Sequence, residues 1–248
     1  GSEMCIRDRS ILIETMRREG YELQVSPPHV LTHEENGKVM EPMERVVIDV
    51  PEVYQGNVMT ALGARKAILM NMQMMNNRSR IEFRMPSRGL FGYRNQFLTD
   101  THGEGIINQI FDGYDVWAGM IANRSTGSLV SFETGEAVTY GLFNAQQRGT
   151  LLVGPGEKVY EGMVIGYTAS GEDVDVNVCK TKHLTNTRAS GSDDALRLIP
   201  VTKFSLEGCL EFLAPDELLE VTPENLRIRK RILDHDLRMK ATSKKSKG

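Results

Sequence analysis

The sequence of 248 residues contains few cysteines and no long apolar run, and these absences exclude several classes of protein. Its three cysteines, Cys5, Cys179 and Cys209, are odd in number and far apart, which favours a reducing cytoplasm over a disulfide framework. The sequence contains no stretch of about 18 apolar residues, which is the length that a transmembrane helix needs. The sequence also lacks the apolar segment after a basic start that marks a secretory signal. We therefore expect a cytoplasmic protein without a membrane partner.

Motifs for self-contained catalysis are also missing. Gly37-Lys38 is followed by Val39, and Thr32 stands where a phosphate-binding loop needs its first glycine. Neither Gly-x-Ser-x-Gly nor His-Glu-x-x-His occurs. Cys179 and His183 form half a zinc site at most. The sequence thus predicts no catalytic residue, no cofactor and no metal site in this chain.

What is present is an ordinary globular composition, with 40% hydrophobic and 25% charged residues. The length suits one large domain or two small ones, and the apolar content suffices for a core. A wholly disordered chain is therefore excluded.

Charge is unevenly distributed along the chain. Residues 227–247 contain nine basic and two acidic residues, a net charge of +7, whereas the remainder carries −10. A second segment, residues 177–191, contains Lys180, Lys182, His183 and Arg188 and no acidic residue. Because phosphate attraction is local and screened within about 10 Å, both stretches favour contact with a polyanion.

The start of the chain predicts an incomplete domain. Residues 1–9 lack apolar periodicity and read as a non-native, tag-like segment. A short helix follows over residues 11–20 with Ser10 as its N-cap, and then a strand over residues 21–25. One helix and one strand cannot bury both their faces, so this piece is interpreted as the remnant of a further α+β domain.

The next hundred residues predict a β-α-β-β-α-β unit of the ferredoxin-like class. Val46, Ile48 and Val50 alternate with polar residues, as in a half-buried strand. Asn76-Asn77 predicts a turn between two further strands. Methionines recur at every second position from residue 70 to 74, and beside a helix this stripe is interpreted as core rather than as a binding groove.

After Trp117 the sequence pattern changes, because glycines recur every few residues between short apolar pairs. Regular turn signals between short strands predict a mainly-β, barrel-like domain. The fold class is therefore α+β. Helical or extended structure is also expected over residues 137–147, 206–213 and 226–240.

Particular motifs resemble a known family. Residues 41–46 (EPMERV), 51–56 (PEVYQG), 85–93 (MPSRGLFGY) and 101–105 (THGEG) resemble the fifth domain of elongation-factor-G-like translational GTPases. Residues 10–20 (SILIETMRREG) look like the last helix of the third domain.

Further motifs are similar to the C-terminal domain peculiar to the BipA (TypA) family. They are residues 123–127 (NRSTG), 143–149 (FNAQQRG), 177–188 (NVCKTKHLTNTR) and 222–230 (TPENLRIRK). The resemblance covers about residues 10–242, and the run from Lys180 to Arg188 is its most specific part.

The resemblance implies a division of the chain into five parts. Residues 1–9 are non-native, 10–38 are the remnant of the third domain, 39–121 the ferredoxin-like fifth domain, 122–242 the BipA-type domain, and 243–248 a basic tail. The GTP-binding domain, with its GTP and Mg²⁺, is expected in a part that this chain lacks. The chain alone is therefore not expected to be an enzyme, whereas its full-length relative would hydrolyse GTP.

The resemblance also implies a partner, the ribosome. It implies docking on rRNA and tRNA near the factor site and the A site, beside ribosomal proteins at the stalk base, in ribosome assembly and translation under stress. A monomer is expected. The residues expected to contact RNA are Lys180, Lys182, His183, Thr185, Asn186, Thr187, Arg188, Lys203, Arg227, Arg229, Lys230 and Arg231. Their chemistry suits phosphate and 2′-hydroxyl contacts rather than base reading.

Two alternatives remain open on the sequence. One is an enzyme with a non-sequential active site in the β domain, which would need a deep pocket of convergent polar groups with perturbed pKa values. The other is a protein–protein adaptor that uses the open sheet face around Arg45, Asp49 and Glu82, which would need an apolar patch there.

Overall fold

The computed structural model describes residues 6–121, 124, 126–181 and 196–245. The chain has mixed α and β content arranged in several sheets. It divides into two compact units, which are described one at a time. Residues 28–123 form the middle unit, and residues 1–27 together with 124–248 form the terminal unit.

Along the chain, α1 (Ile6–Arg18) and β1 (Leu23–Val25) open the terminal unit. The middle unit follows, and its elements are β2 (His33–Glu35), β3 (Lys38–Pro51), α2 (Gln55–Ala64), β4 (Ile68–Met75), β5 (Arg78–Pro86), α3 (Tyr93–Asp100) and β6 (Ile106–Val116).

The middle unit is built on an antiparallel sheet in the order β2-β3-β5-β4, with β6 also paired to β3. The predicted alternation in β3 is confirmed, because Val46, Ile48 and Val50 are fully buried. They pack with apolar side chains of β5, α2 and α3 in one core. A strand with one buried face and one polar face fixes its own register, since a shift by one residue would expose the apolar set.

Two tight turns set the pairing at the ends of this sheet. Asn36-Gly37 joins β2 to β3, and Asn76-Asn77 joins β4 to β5, each as a two-residue connection. All four residues have positive φ, between 49° and 72°. Such turns match the twist of the strands that they join, and asparagine and glycine tolerate the left-handed backbone. The turn predicted at Asn76-Asn77 is confirmed.

The methionine stripe of β4 lies at the surface, so its interpretation as core is wrong. Every residue of Ile68–Met75 is exposed. Among the described residues β4 pairs with β5 alone, and the buried members of the core come from β3, β5, α2 and α3. Period two predicts a strand correctly, but it does not show whether helices cover that strand.

A buried carboxylate connects the beginning of β3 to the segment after β6. Glu41 is fully buried and accepts hydrogen bonds from Arg88 Nε at 2.5 Å and Arg88 Nη2 at 3.1 Å. The Ala118 amide also donates to it, at 2.7 Å. The Arg88 guanidinium lies 3.6 Å from the centroid of the Trp117 ring. Since a buried charge needs full compensation, these contacts must form together.

We predict that Arg88→Lys destabilises the protein by about 2 kcal/mol, because an ammonium cannot reproduce the two-pronged contact with buried Glu41 or stack flat on Trp117. Urea denaturation measures the change. The matched control is Arg94→Lys, at an exposed residue of α3, which should change stability by less than about 0.5 kcal/mol. Equal stability of the two variants would contradict the prediction.

The second part of the terminal unit contains the remaining elements. They are β7 (Gly127–Ser131), β8 (Gly135–Glu136), α4 (Thr139–Gln146), β9 (Thr150–Leu151), β10 (Lys158–Val159), β11 (Val164–Thr168), β12 (Val174–Val176), α5 (Leu206–Phe212), β13 (Glu217–Val221), β14 (Leu226–Lys230) and α6 (His235–Lys245).

These elements enclose two cores. One core lies between α4 and the four-stranded sheet β12-β7-β11-β9. The other joins α1 and α5 to the three-stranded sheet β1-β13-β14. The first helix and strand of the chain are thus part of the terminal unit. Ser10 lies inside α1, so its predicted role as N-cap is wrong. Residues 226–240 divide into β14 and the start of α6.

Gly162 lies where the chain comes closest to the segment before α6. Its φ is +82°, and a Cβ there would lie 2.7 Å from Leu233 Cα and 2.8 Å from the Leu233 carbonyl oxygen. The Gly162 carbonyl accepts a hydrogen bond from the Lys230 amide at 2.8 Å. Only a residue without a side chain allows this approach.

We predict that Gly162→Ala destabilises the protein by about 2 kcal/mol more than Gly156→Ala. Gly156 has nearly the same φ, +81°, but a Cβ there would meet only the Glu136 side chain at 3.8 Å. The control therefore carries the cost of the left-handed backbone without the clash. Thermal unfolding of both variants tests the difference, and equal midpoints would refute it.

Candidate nucleic-acid interface

The strand β14 separates its basic residues onto two faces. Register with β13 pairs Arg227 with Glu220 and Lys230 with Glu217. Ile228 and Lys230 are buried, whereas Arg227 and Arg229 point to the other face and are partly exposed. The alternation of a strand therefore divides a run that looks uniformly basic in the sequence.

Lys230 is enclosed by carboxylates and is only 2% exposed. Its Nζ lies 2.5 Å from Asp173, 3.0 Å from Asp216 and 3.0 Å from Glu217. Burial alone would lower the pKa of this lysine, but the three carboxylates outweigh it and raise the pKa. Its ammonium is fully engaged inside the protein.

Glu217 is the centre of this group and is completely buried. Arg124 Nη1 donates to it at 3.2 Å, Ser128 Oγ at 2.6 Å and the Ala214 amide at 2.9 Å. Burial by itself would raise the pKa of Glu217, yet Lys230 and Arg124 hold that pKa below its usual value. We call Arg124, Glu217 and Lys230 the buried ion cluster; Asp173 and Asp216 contact Lys230 from the surface and are 41% and 54% exposed.

Arg229 on the opposite face is also engaged. Its Nε lies 2.9 Å from Glu220, and the Tyr160 hydroxyl donates to the same carboxylate at 2.6 Å. Burial, then the bond to Glu220, raises the pKa of Tyr160, so this hydroxyl remains a donor. Arg229 can still turn one edge to a phosphate, because Glu220 occupies only part of its fork of donors.

Some of the other residues predicted to contact RNA lie at the surface, and the rest lie outside the described residues. Lys180, Lys203 and Arg231 are exposed, and Arg227 is partly exposed. The remaining members lie outside the described residues; they are Lys182, His183, Thr185, Asn186, Thr187 and Arg188.

A cavity of about 610 Å³ brings Lys203 and Arg227 together. Arg17 of α1 and Lys158 of β10 line it as well. Sequence reasoning missed these two residues, because both lie outside residues 177–191 and 227–247, the two stretches of concentrated basic charge. Lys180, Arg229 and Arg231 do not line this cavity.

The cavity does not supply the chemistry that the enzyme alternative requires. Its thiol, Cys209, is buried, and burial raises the pKa of that thiol to about 11. A thiol with this pKa is protonated at neutral pH and is a poor nucleophile. No histidine is among the described residues that line the cavity.

The residues that define the open-face alternative take part in ion pairs. Arg45 lies 3.5 Å from Glu82 and 3.3 Å from Asp112, and Arg78 lies 2.5 Å from Asp49. The three residues that this alternative named are therefore all paired to charged neighbours, whereas Ile110 and Ile106 of β6, which lie opposite Arg45 and Asp49, are exposed.

The Gly-Lys pair does not form a phosphate-binding loop. Gly37-Lys38 forms part of the hairpin between β2 and β3, whereas a phosphate-binding loop leads from a strand into a helix. No group of three or more His, Cys, Asp or Glu side chains in the described ranges could hold a metal ion. None of the described helices is long and apolar enough to cross a membrane.

We predict that Glu217 makes stability sensitive to acid. Its pKa is lower in the folded than in the unfolded protein, so its stabilising effect is complete above the unfolded value of about 4.3. That effect is lost as pH falls further. Glu217→Gln should lower stability at pH 7 by about 3 kcal/mol. It should also flatten the dependence of the melting temperature on pH between about 5 and 3.

The control for this prediction is Glu172→Gln, at an exposed glutamate of the same unit. The melting temperatures of Glu172→Gln across the pH series should follow those of the unaltered protein. The interpretation fails if Glu217→Gln keeps the original acid dependence.

Comparisons with known proteins identify both units. Residues 126–235 match the TypA/BipA C-terminal domain, and residues 38–125 match the elongation factor G C-terminus. A protein of Bacillus subtilis (strain 168) named large ribosomal subunit assembly factor BipA is 48% identical over 95% of this chain and 39% of its own length.

Proteins of the same name are similar in Haemophilus influenzae, with 48% identity over 94% of this chain and 38% of theirs, and in Salmonella typhimurium, with 48% over 94% and 39%. The chain thus spans about two fifths of the length of these relatives. The chain belongs to the BipA/TypA family, of which it comprises the elongation-factor-G-like C-terminal domain and the BipA-type C-terminal domain.

Proposed function

We propose that this chain is the ribosome-docking part of a BipA-like translational GTPase that acts in assembly of the large ribosomal subunit. The observation that carries the proposal is the 48% identity, over 95% of the chain, to a protein named as an assembly factor for that subunit. Hydrolysis of GTP, with GTP and Mg²⁺ as ligands, belongs in this proposal to the part of the relatives that the chain does not match.

The distribution of charge in the terminal unit supports RNA as the binding partner. The buried carboxylate of Glu217 is neutralised internally by Lys230 and Arg124. Lys180, Lys203 and Arg231 are exposed. Among the described residues these three form no ion pair, and exposed cations of this kind attract phosphates without reading the base sequence. We therefore take contacts to be phosphate- and shape-based.

The proposed RNA surface consists of the exposed and partly exposed cations together with the polar run that follows Lys180. Its members are Lys180, Lys182, His183, Thr185, Asn186, Thr187, Arg188, Lys203, Arg227, Arg229 and Arg231. Lys230 is left out, because three carboxylates already surround its ammonium. Displacing these carboxylates from Lys230 to admit a phosphate would leave buried charges unpaired.

We infer finer assignments for the two units. The order β3-α2-β4-β5-α3-β6 and the sheet order support a ferredoxin-like fifth domain over residues 39–121. The short strands of residues 122–242 support a barrel-like domain. Residues 10–38 are assigned to the third domain, and the pairing of β1 with β13 supports a fixed attachment of their first part.

The proposed partners are rRNA, tRNA and the ribosomal proteins near the stalk base, met by a monomer in the cytoplasm. Docking near the factor site and the A site would place the protein where subunit maturation and translation under stress are controlled. These proposals rest on the family and on the basic surface of the terminal unit.

To test the RNA surface, Lys180, Lys203 and Arg231 are changed together to glutamate, and co-sedimentation with large ribosomal subunits is measured across a salt series. We expect binding at least about tenfold weaker, with the slope of log K against log salt reduced by about 2 to 3, because three phosphate contacts are lost.

The matched control reverses three exposed charges elsewhere, in Arg18, Lys38 and Arg94. It has the same net charge and should retain the original salt slope within about one unit. If the two triple variants bind equally, or the first keeps an unchanged slope, the proposed surface is wrong.

A further inference from the structure

The cavity of the terminal unit is lined by residues from each of the three described sheets of that unit, through β10, β11 and β14. It lies against β11 and β14, and the turn between β13 and β14 closes one side. Its volume of about 610 Å³ lies within the range of small-molecule sites, about 300–1,000 Å³. It is therefore large enough for a ligand with both a ring and a charged group.

Four basic side chains line this one cavity: Arg17, Lys158, Lys203 and Arg227. Arg17 is held in place, because its Nε donates to the Thr222 carbonyl oxygen at 2.8 Å and its Nη1 lies 3.5 Å from Glu14. Within the described ranges, Lys158, Lys203 and Arg227 form no ion pair with a carboxylate. Cations that no neighbouring carboxylate neutralises attract a phosphate most strongly where water is partly excluded.

Two acidic and two polar side chains line the same cavity. They are Glu157, Glu224, Asn225 and Thr202. Glu157 is oriented by the Gly154 amide, which donates to its Oε1 at 3.0 Å. Carboxylates would repel a ligand that carried only phosphate, but they accept hydrogen bonds from sugar hydroxyls, as acidic residues do in nucleotide sites.

The floor of the cavity is apolar. Leu152, Met163, Val164 and Ile228 contribute aliphatic surface, and Phe204 adds an aromatic ring. Phe204 is itself held by Tyr167 and Phe212, with ring centroids 6.1 and 5.1 Å away. An apolar floor beside an aromatic ring suits a planar base, because every base has an apolar face.

We propose that this cavity binds one ribonucleotide unit, with its phosphate at the four cations, its ribose hydroxyls at Glu157 or Glu224, and its base on the floor beside Phe204. The ligand is a nucleoside 5′-phosphate, either free or as an unpaired nucleotide of an RNA chain. The RNA source rests on the function proposed above, whereas binding of the free nucleotide does not.

Binding of the four 5′-ribonucleoside monophosphates, inorganic phosphate and a single-stranded RNA tetramer to the 248-residue chain is measured by titration calorimetry. We expect a nucleotide to bind at least about tenfold more tightly than inorganic phosphate, because base and ribose contacts add to those of the phosphate. A deoxyribonucleotide should bind more weakly than its ribonucleotide, because it lacks one hydroxyl.

Two variants test the cavity itself. Lys158→Glu should weaken nucleotide binding by about tenfold or more through lost charge-assisted contact. Thr202→Trp should block the cavity from its edge and abolish binding. Thermal melts show whether each variant is folded. If Thr202→Trp does not fold, Lys158→Glu alone tests the cavity. Arg94→Glu, in α3 of the middle unit, is the control and should bind as the unaltered protein does.

Four results would overturn the proposal. They are phosphate binding as tight as nucleotide binding, no nucleotide or tetramer binding at millimolar concentration, full binding by folded Thr202→Trp, and loss of binding in Arg94→Glu. Binding of the free nucleotide without the tetramer supports a free ligand, and binding of the tetramer more tightly than the nucleotide supports RNA. Ribosome co-sedimentation of Lys158→Glu separates the two proposals, since cavity binding can fail there while docking persists.

Discussion

The terminal unit depends on one requirement, that the carboxylate of Glu217 be neutralised where no water reaches it. A charge in such a place is tolerated only with close opposite charges and complete hydrogen bonding. Lys230 and Arg124 provide the charge, and Ser128 and the Ala214 amide complete the bonding. These groups come from β7, the segment before it, the approach to β13, and β14, so satisfying one side chain fixes four separate parts of the chain.

This requirement also explains which cations remain for a partner. Strand alternation and the inward position of Glu217 draw Lys230 into the protein, and the same alternation turns Arg227 and Arg229 outwards. Arg227 then lines the cavity together with residues from α1 and β10. One short strand thereby places Lys230 in the ion pairs around Glu217 and Arg227 in the lining of the cavity.

Parts of the fold could be predicted because their signals are local. Val46, Ile48 and Val50 alternate within five residues, and the turn at Asn76-Asn77 depends on residues that accept a left-handed backbone. The methionines of β4 follow the same period, yet they are exposed, because coverage by a helix is a long-range property.

The basic surface was predictable as charge in the sequence, whereas the cavity joins residues as far apart as Arg17 and Arg227. Lys230 could not be separated from its neighbours, since Asp173 and Glu217 lie far from it in the sequence.

The strand β4 has a practical consequence. Its eight exposed residues include no charged residue and no proline, which are the usual means by which an edge strand avoids pairing with another molecule. Low charge, the absence of proline and glycine, and the amides Asn71 and Gln73 are also features of segments that stack into fibrils. Concentrated solutions of the isolated chain are therefore expected to associate first along this strand, and a single lysine in its middle would be the mildest change that improves solubility.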